Sequence, residues 1–150
     1  MTSFLDALTT AHNGGDIGAV LACFTDDVDY RDIFFGDCRG HEQLAAMLTR
    51  TFAESARHTW TITRSLATAE AIVAEWDFDY TIAASIPFGD GRRLAFPAMS
   101  WFEMRGERCF RYREFFDRTA TLHLQGIPAD KVATIVARRS TVRILEPSAG

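Results

Sequence analysis

The sequence predicts an α+β domain in which N-terminal helices pack inside a strongly bent, mostly antiparallel sheet. Apolar residues follow a helical period near the N-terminus and a period of two after residue 59. Two turn-forming segments, Pro87–Gly91 and Arg105–Glu107, separate three later strands. Because the helices come first and long consecutive strands follow, we expect the sheet to wrap around the helices and to leave a hollow.

The chain has the size and composition of one globular unit. At 150 residues, with 47% hydrophobic and 24% charged residues, it can bury one core. We therefore expect a single domain over residues 1–150, in which residues 140–150 form a loose tail. No run of eighteen apolar residues occurs, so no membrane-spanning helix is expected.

Charge and cysteine content narrow the expected partners and location. The net charge of −4 gives no general attraction to phosphate backbones or anionic lipids, so neither nucleic acid nor a membrane is expected as a partner. The three cysteines are odd in number and widely spaced, which argues against a disulfide framework or a zinc site. A reducing, cytoplasmic location is expected.

Two short helices are predicted to form a hairpin at the N-terminus. Apolar residues share one helical face over Phe4–Ala11, and Gly14-Gly15 ends this helix. Asp16 can cap the next helix, whose apolar spacing continues over Ile17–Phe24. A third helix is predicted from the apolar spacing over Leu44–Phe52.

Strands account for most of the remaining elements. A short strand over Val28–Ile33 precedes a predicted loop over Phe34–Gly40. The later strands are expected to begin at Trp60 and to cover Ala71–Ala84, Arg93–Met104 and Arg108–Phe116. Two short helices are predicted after Asp117, which can serve as a cap, and after Pro128.

Two segments resemble one known group of proteins. The residues from Asn13 to Asp32 include Asn13-Gly14-Gly15-Asp16 and Phe24-Thr25-Asp26-Asp27, and the residues from Phe102 to Asp117 include Tyr112-Arg113-Glu114-Phe115-Phe116-Asp117. Together they resemble the start and the end of the nuclear-transport-factor-2-like superfamily, of the SnoaL-like type that includes polyketide cyclases, limonene-epoxide hydrolases and ketosteroid isomerase. The resemblance implies a cone-shaped fold around a pocket, whereas fold alone does not give function.

The resemblance also implies roles for single positions. Asp32 falls where ketosteroid isomerase has its general base, Tyr30 matches a water-positioning tyrosine of the epoxide hydrolases, and Glu114 matches one of their catalytic aspartates. Asp77 and Asp79 fall where those hydrolases have an arginine and a second aspartate, and the missing arginine argues against direct epoxide hydrolysis.

Steroid isomerisation is also disfavoured by the resemblance. Leu8 and Ser100 replace the two groups that form the oxyanion hole of ketosteroid isomerase. The hydroxyl of Ser100 can still donate one hydrogen bond, but most of the enolate stabilisation is missing.

Acid/base chemistry needs two ionisable groups in a partly dry cavity, and Asp32 with Glu114 is the predicted pair. Their structural alternatives are a surface cap for Asp32 and an ion pair with Arg111 or Arg113 for Glu114.

We predict that the substrate-binding residues are Trp76, Asp77, Asp79, Ser100, Tyr112 and Phe116. Their alternatives are ordinary core packing for the aromatic residues and a solvated outer face for the two aspartates. The four histidines lack metal-ligand spacing, so neither a metal nor another cofactor is expected.

Two functional hypotheses follow from these residues. The first is a cofactor-independent isomerase, cyclase, dehydratase or hydrolase that acts on a small apolar or aromatic compound, with Asp32 as base, Glu114 as acid or water activator, and Tyr30 orienting by a hydrogen bond. The second is a non-catalytic ligand-binding or dimerisation module. In either case, a homodimer through the outer face of strands Arg93–Met104 and Arg108–Phe116 is expected.

Overall fold

The structure, a computed structural model, describes residues 3–89 and 91–145. The helices in these ranges are α1 Phe4–Asn13, α2 Ile17–Ala22, α3 Gly40–Glu54, α4 Arg118–Leu124 and α5 Ala129–Arg138. The strands are β1 Phe24–Asp32, β2 Gly36–Arg39, β3 Ser55–Ala67, β4 Ala71–Ile82, β5 Arg93–Arg105 and β6 Arg108–Phe115. None of these helices combines the length and the apolar character that crossing a membrane requires.

The strands form one curled, mixed sheet in the order β2-β1-β6-β5-β4-β3. Strands β1 and β6 are parallel, and the other neighbours are antiparallel. The helices and this sheet confirm the predicted α+β class. In the parallel pair, Tyr30 lies opposite Tyr112 and Arg31 lies opposite Arg113. One residue beyond these pairs, Asp32 and Glu114 occupy corresponding positions on the two strands.

The core lies between the helices and the inner face of the sheet. Helices α1 and α3 bury one apolar side each, as expected for amphipathic helices. The largest fully buried apolar side chains come from both layers and are Leu8, Val20, Phe24, Val28, Leu44, Leu48, Ile82, Phe102 and Tyr112. Alternation along β4 directs Ala74, Trp76 and Tyr80 inward, as the period of two predicted.

Some boundaries differ from the sequence predictions. The segment Phe34–Gly40 is not wholly a loop, because β2 forms within it by antiparallel pairing with β1. This four-residue strand has no apolar alternation and depends on its neighbour for its extended backbone. Strand β3 begins at Ser55, five residues before Trp60, for the same reason: it pairs with β4 along nearly its whole length.

Two predicted segments fall partly outside the described residues. Asp90, in the predicted Pro87–Gly91 turn, is outside them, as are residues 146–150 of the predicted tail. Residues 140–145 form no helix or strand, and Val142 and Ile144 are exposed.

Candidate active site

The parallel pairing of β1 and β6 places two carboxyl side chains at the wall of one cavity. Asp32 ends β1, and Glu114 lies in β6 at the corresponding position. Both side chains point to the inner face, together with Tyr30 and Tyr112 two residues earlier on each strand. The rings of the two tyrosines stack with centroids 4.2 Å apart.

The carboxylate of Asp32 is held by the turn that follows β1. Its Oδ1 atom accepts hydrogen bonds from the backbone N–H groups of Phe34 and Phe35, each at 2.7 Å. An aspartate that binds the backbone two and three residues further on is a common way to start a turn. This contact fixes the carboxyl group and places the rings of Phe34 and Phe35 beside it.

Glu114 is buried at the end of a chain of hydrogen bonds. The indole N–H of Trp76 donates to Ser100 Oγ at 2.8 Å, Ser100 Oγ donates to the hydroxyl of Tyr112 at 2.9 Å, and this hydroxyl donates to Glu114 Oε2 at 2.8 Å. Because an indole N–H can only donate, it orients the two hydroxyl groups towards Glu114. The other carboxyl oxygen, Oε1, accepts from the backbone N–H of Ile33 at 2.9 Å.

Burial makes both acids weaker than usual. Desolvation raises the pKa of Asp32 to about 6, although the N–H groups of Phe35 and Phe34 partly oppose it. Desolvation also raises the pKa of Glu114 well above its ordinary value, and the negative charge of Asp32 raises it further. The pKa values of both carboxyl groups are therefore raised, and the charge of Asp32 adds to the effect of burial at Glu114.

The phenol groups beside the carboxyls stay neutral. Burial, followed by the charges of Glu114 and Asp32, raises the pKa of Tyr30 well above 10. The pKa of Tyr112 is also raised, by burial and then by the charge of Glu114. At neutral pH both tyrosines can therefore donate hydrogen bonds but cannot act as bases.

The cavity that these groups line has a volume of about 70 Å³ and mostly aromatic walls. It is lined by His12, Tyr30, Asp32, Phe34, Phe35, Thr51, Trp60, Trp76, Phe78, Phe96, Tyr112, Glu114 and Phe116. This space, here called the inner cavity, has room for several water molecules or for part of a ring.

A larger outer cavity of about 470 Å³ adjoins the inner one, because Phe34, Phe35, Thr51 and Phe78 line both. Its other walls come from α3, α4, α5 and the segment after β4. Arg118 in α4 joins α5 to the turn after β1, because its guanidinium donates to the carbonyls of Val136 and Ile33 at 3.4 and 3.0 Å. The inner cavity thus adjoins a space of the size that small-molecule sites usually have.

Most of the sequence-predicted site residues converge on the inner cavity. Asp32, Glu114, Tyr30, Trp76, Tyr112 and Phe116 all line it. Ser100, which was predicted to contact a substrate, does not line it: the residue is fully buried, and its hydroxyl donates to that of Tyr112. The arginines of β6 do not pair with Glu114, because Arg111 and Arg113 both bind Glu103.

Asp77 and Asp79, which were predicted to contact a substrate, do not line the inner cavity. Both residues lie on the outer face of the sheet, since Trp76 and Tyr80 occupy the inner positions of β4. Asp79 forms a salt bridge with Arg93 there, and Asp77 is exposed. Which face of β4 meets the cavity is decided by its pairing with β3 and β5, which the resemblance did not fix.

Sequence reasoning missed three polar residues of the inner cavity, namely His12, Thr51 and Trp60. His12 follows Leu8 by four residues and therefore lies on the buried face of α1, so helical spacing alone could have indicated it. Nothing in the sequence indicates that Trp60 lies beside it, because α1 and β3 are far apart in the chain.

No cluster of three or more His, Cys, Asp or Glu side chains suited to a metal ion occurs within residues 3–89 and 91–145. The carboxyl pair is instead surrounded by aromatic rings and hydroxyl groups.

Comparison with known proteins identifies the family. The sequence model of the SnoaL-like domain matches residues 4–112, which is more than half of the chain. The chain belongs to the SnoaL-like family. No curated protein matches its sequence.

Solved structures confirm the fold of this SnoaL-like protein. A ketosteroid-isomerase-like protein from Catenulispora acidiphila, in complex with trimethylamine, has a TM-score of 0.73 and 24% identity, with 85% of this chain and 95% of that one covered. A protein assigned as a polyketide cyclase from Pseudomonas putida has a TM-score of 0.70 and 19% identity over 81% and 95% of the two chains. An epoxide hydrolase of the limonene-epoxide-hydrolase-like type from M. tuberculosis has a TM-score of 0.65 and 22% identity over 93% of each chain.

Proposed function

We propose that this SnoaL-like protein is a cofactor-independent acid/base enzyme that moves a proton on a small apolar or aromatic molecule. Asp32 takes a proton from the substrate, and Glu114 delivers one to a second atom of it. Isomerisation, cyclisation and dehydration all need this pair of steps. The proposal is carried by one observation: two buried carboxyl groups, both with raised pKa values, share an aromatic cavity.

The protonation order supports this division of roles. A pKa of about 6 leaves Asp32 mostly ionised at pH 7 and still basic enough to accept a proton. We assign the shared site's remaining proton to Glu114, because burial and the charge of Asp32 both raise its pKa and disfavour its ionised form. After one turnover Asp32 holds the substrate's proton and Glu114 is ionised, and proton transfer between them or through water restores the starting state.

The cavities indicate a cyclic, largely apolar substrate. Aromatic rings form most of the inner wall, and the inner cavity alone is too small for a whole drug-sized molecule. The reacting end of the substrate is therefore proposed to enter the inner cavity while the rest occupies the outer one. The polyketide cyclase assignment of one fold neighbour is compatible with such a substrate.

Proton abstraction can be tested before the natural substrate is known. In D2O, a panel of cyclic ketones and hydroxylated aromatics should exchange carbon-bound hydrogen for deuterium in the presence of the protein, as measured by NMR or mass spectrometry. Asp32→Asn should slow this exchange by about 100-fold or more, because general-base catalysis contributes roughly 10²–10⁴-fold. Asp77→Asn is the matched control, since it makes the same replacement of a carboxylate by an amide on the outer face of the sheet.

The pH profile gives a second test of the same proposal. The rate should rise with pH as Asp32 ionises around pH 6 and fall at higher pH as Glu114 loses its proton. Equal exchange by Asp32→Asn and the wild type, for every compound that exchanges, would remove the proposed mechanism.

We also propose a homodimer through the outer face of the sheet, and a cytoplasmic location in keeping with its three free cysteines. Met99, Trp101 and Phe115 are large, exposed apolar side chains on that face of β5 and β6. Met99 lies directly opposite Phe115 in the strand pairing, so the residues form one patch. Light scattering should give a dimer for the wild type and a monomer for Trp101→Glu; a monomeric wild type at high concentration would contradict the proposal.

A further inference from the structure

Two residues that line the inner cavity each carry a buried polar atom with no hydrogen-bond partner among residues 3–89 and 91–145. These atoms are His12 Nδ1 and the indole nitrogen of Trp60, Nε1. Both residues are more than nine-tenths buried, and both line the inner cavity. Leaving a buried polar group unpaired costs about 1–3 kcal/mol, so such atoms usually mark a bound water or a ligand.

The two rings are held next to each other by contacts that do not involve the cavity. Asn13 donates through Nδ2 to the carbonyl of Trp60 at 3.0 Å and accepts through Oδ1 from the Trp60 N–H at 2.7 Å. His58 Nε2 donates to the carbonyl of His12 at 2.8 Å. The end of α1 is thereby fixed to β3, with the rings of His12 and Trp60 5.1 Å apart and nearly perpendicular.

The imidazole of His12 is neutral. Burial, together with the neighbouring His58, lowers the pKa of His12 to about 3. A neutral imidazole carries one N–H and one lone pair, whereas the indole of Trp60 can only donate. A hydroxyl group suits both atoms, because its oxygen accepts from Trp60 and its proton can be donated to Nδ1; if Nδ1 carries the proton, the oxygen can accept from both.

We propose that His12 and Trp60 form a polar subsite that binds a hydroxyl group on the ring of the substrate. The inference rests on the proposed function in one respect, namely that the inner cavity is where the substrate reacts. It adds the substrate class: a hydroxylated aromatic or alicyclic compound.

The subsite lies across the cavity from the carboxyl pair. Trp60 belongs to β3 at one edge of the sheet, whereas Asp32 and Glu114 belong to β1 and β6 towards the other edge. Trp76 lies on β4, between these strands in the sheet order, with its ring 5.5 Å from that of Trp60 and 6.5 Å from that of Phe116. A ring lying against these aromatic side chains would have one polar end at His12 and its reacting end at the carboxyls.

The test compares phenol with toluene, which have similar shapes and differ by the hydroxyl group. The three tryptophans give three indole N–H signals in a proton–nitrogen NMR spectrum, and Trp60→Phe assigns the relevant one. Phenol should shift the Trp60 signal downfield, and toluene should not. The Trp101 signal serves as the control because this side chain lies on the outer face of the sheet.

Affinities measured in the same titrations test His12. His12→Phe should reduce the preference for phenol over toluene by about threefold to tenfold, the loss expected for one hydrogen bond. His12→Asn should restore part of the preference, because its amide places a polar atom near the position of Nδ1. Phenol binding that leaves the Trp60 signal in place, or an unchanged preference in His12→Phe, would overturn the subsite.

The outcomes also separate the subsite from the proposed function. The NMR titration measures binding alone and uses the wild-type protein for its main result. If Asp32→Asn exchanged deuterium normally while phenol still shifted the Trp60 signal, the mechanism would fail and the subsite would remain. The opposite combination would retain the carboxyl pair and reject the subsite.

Discussion

Replacing Asp32 by asparagine should make the protein more stable at neutral pH. The amide oxygen of asparagine can still accept the hydrogen bonds from the N–H groups of Phe34 and Phe35, so the turn after β1 is retained. What the substitution removes is a carboxylate that the folded protein holds in a desolvating site. A site that binds ligand or performs chemistry often carries such a cost in stability.

The magnitude follows from the pKa of Asp32 and has a definite sign. Its pKa is raised from 3.8 to about 6 on folding, so the folded state binds this proton more tightly than the unfolded state. The contribution of Asp32 to the free energy of unfolding is therefore fully present below pH 4 and is lost as the pH rises to about 6. At 1.36 kcal/mol per pH unit the loss is ~3 kcal/mol, which corresponds to roughly 6–12 °C in Tm.

The assay is denaturant unfolding of the wild type and Asp32→Asn at several pH values between 4 and 8. The stability advantage of the variant should be small at pH 4, increase through pH 6 and remain constant above it. Asp77→Asn, on the exposed outer face, should change the unfolding free energy by less than about 0.5 kcal/mol. An advantage of Asp32→Asn that does not vary between pH 4 and 7 would refute the claim that this carboxylate is desolvated.

Three further predictions concern the groups that support the site. Tyr112→Phe removes a hydrogen bond that stabilises the ionised form of Glu114, so the pKa of Glu114 should rise further. A carbon-13 NMR titration of the Glu114 carboxyl carbon would measure this pKa, and an unchanged or lowered value would contradict the hydrogen-bond chain. Asn13→Ala removes both contacts with the Trp60 backbone and should lower the unfolding free energy by about 1–3 kcal/mol in denaturant titrations, whereas a neutral effect would show that α1 is not held through this side chain. Gly126→Ala should loosen α4 and α5, because Gly126 has a φ of +101° and a Cβ there would collide with the carbonyl of Phe88, after β4. Faster proteolysis near residue 126 would confirm this, and an unchanged cleavage pattern would contradict it.

The candidate site was predictable where local pattern and register act together. Tyr30 and Asp32 are two residues apart, and so are Tyr112 and Glu114, so each pair lies on one side of its strand whatever else the chain does. For Asp77 and Asp79 the same alternation identified two faces but could not tell which one meets the cavity. Ser100 was recognised as a hydrogen-bond donor, yet the group that accepts its hydrogen bond is the hydroxyl of Tyr112. The pairing of β5 with β6 buries Ser100 behind the ring of Tyr112.

The sequence by itself determined the α+β class, the helical hairpin, the meander of long strands and the acidic residues at two strand positions. These features depend on periodicity, turn residues and caps, which act over a few neighbouring residues. Only the tertiary structure decided that Asp32 and Glu114 share a desolvated cavity and that His12 lies beside Trp60. Desolvation and ring contacts arise from groups far apart in the chain, and their effect on a pKa or an unpaired nitrogen exists only after the sheet has closed around the helices.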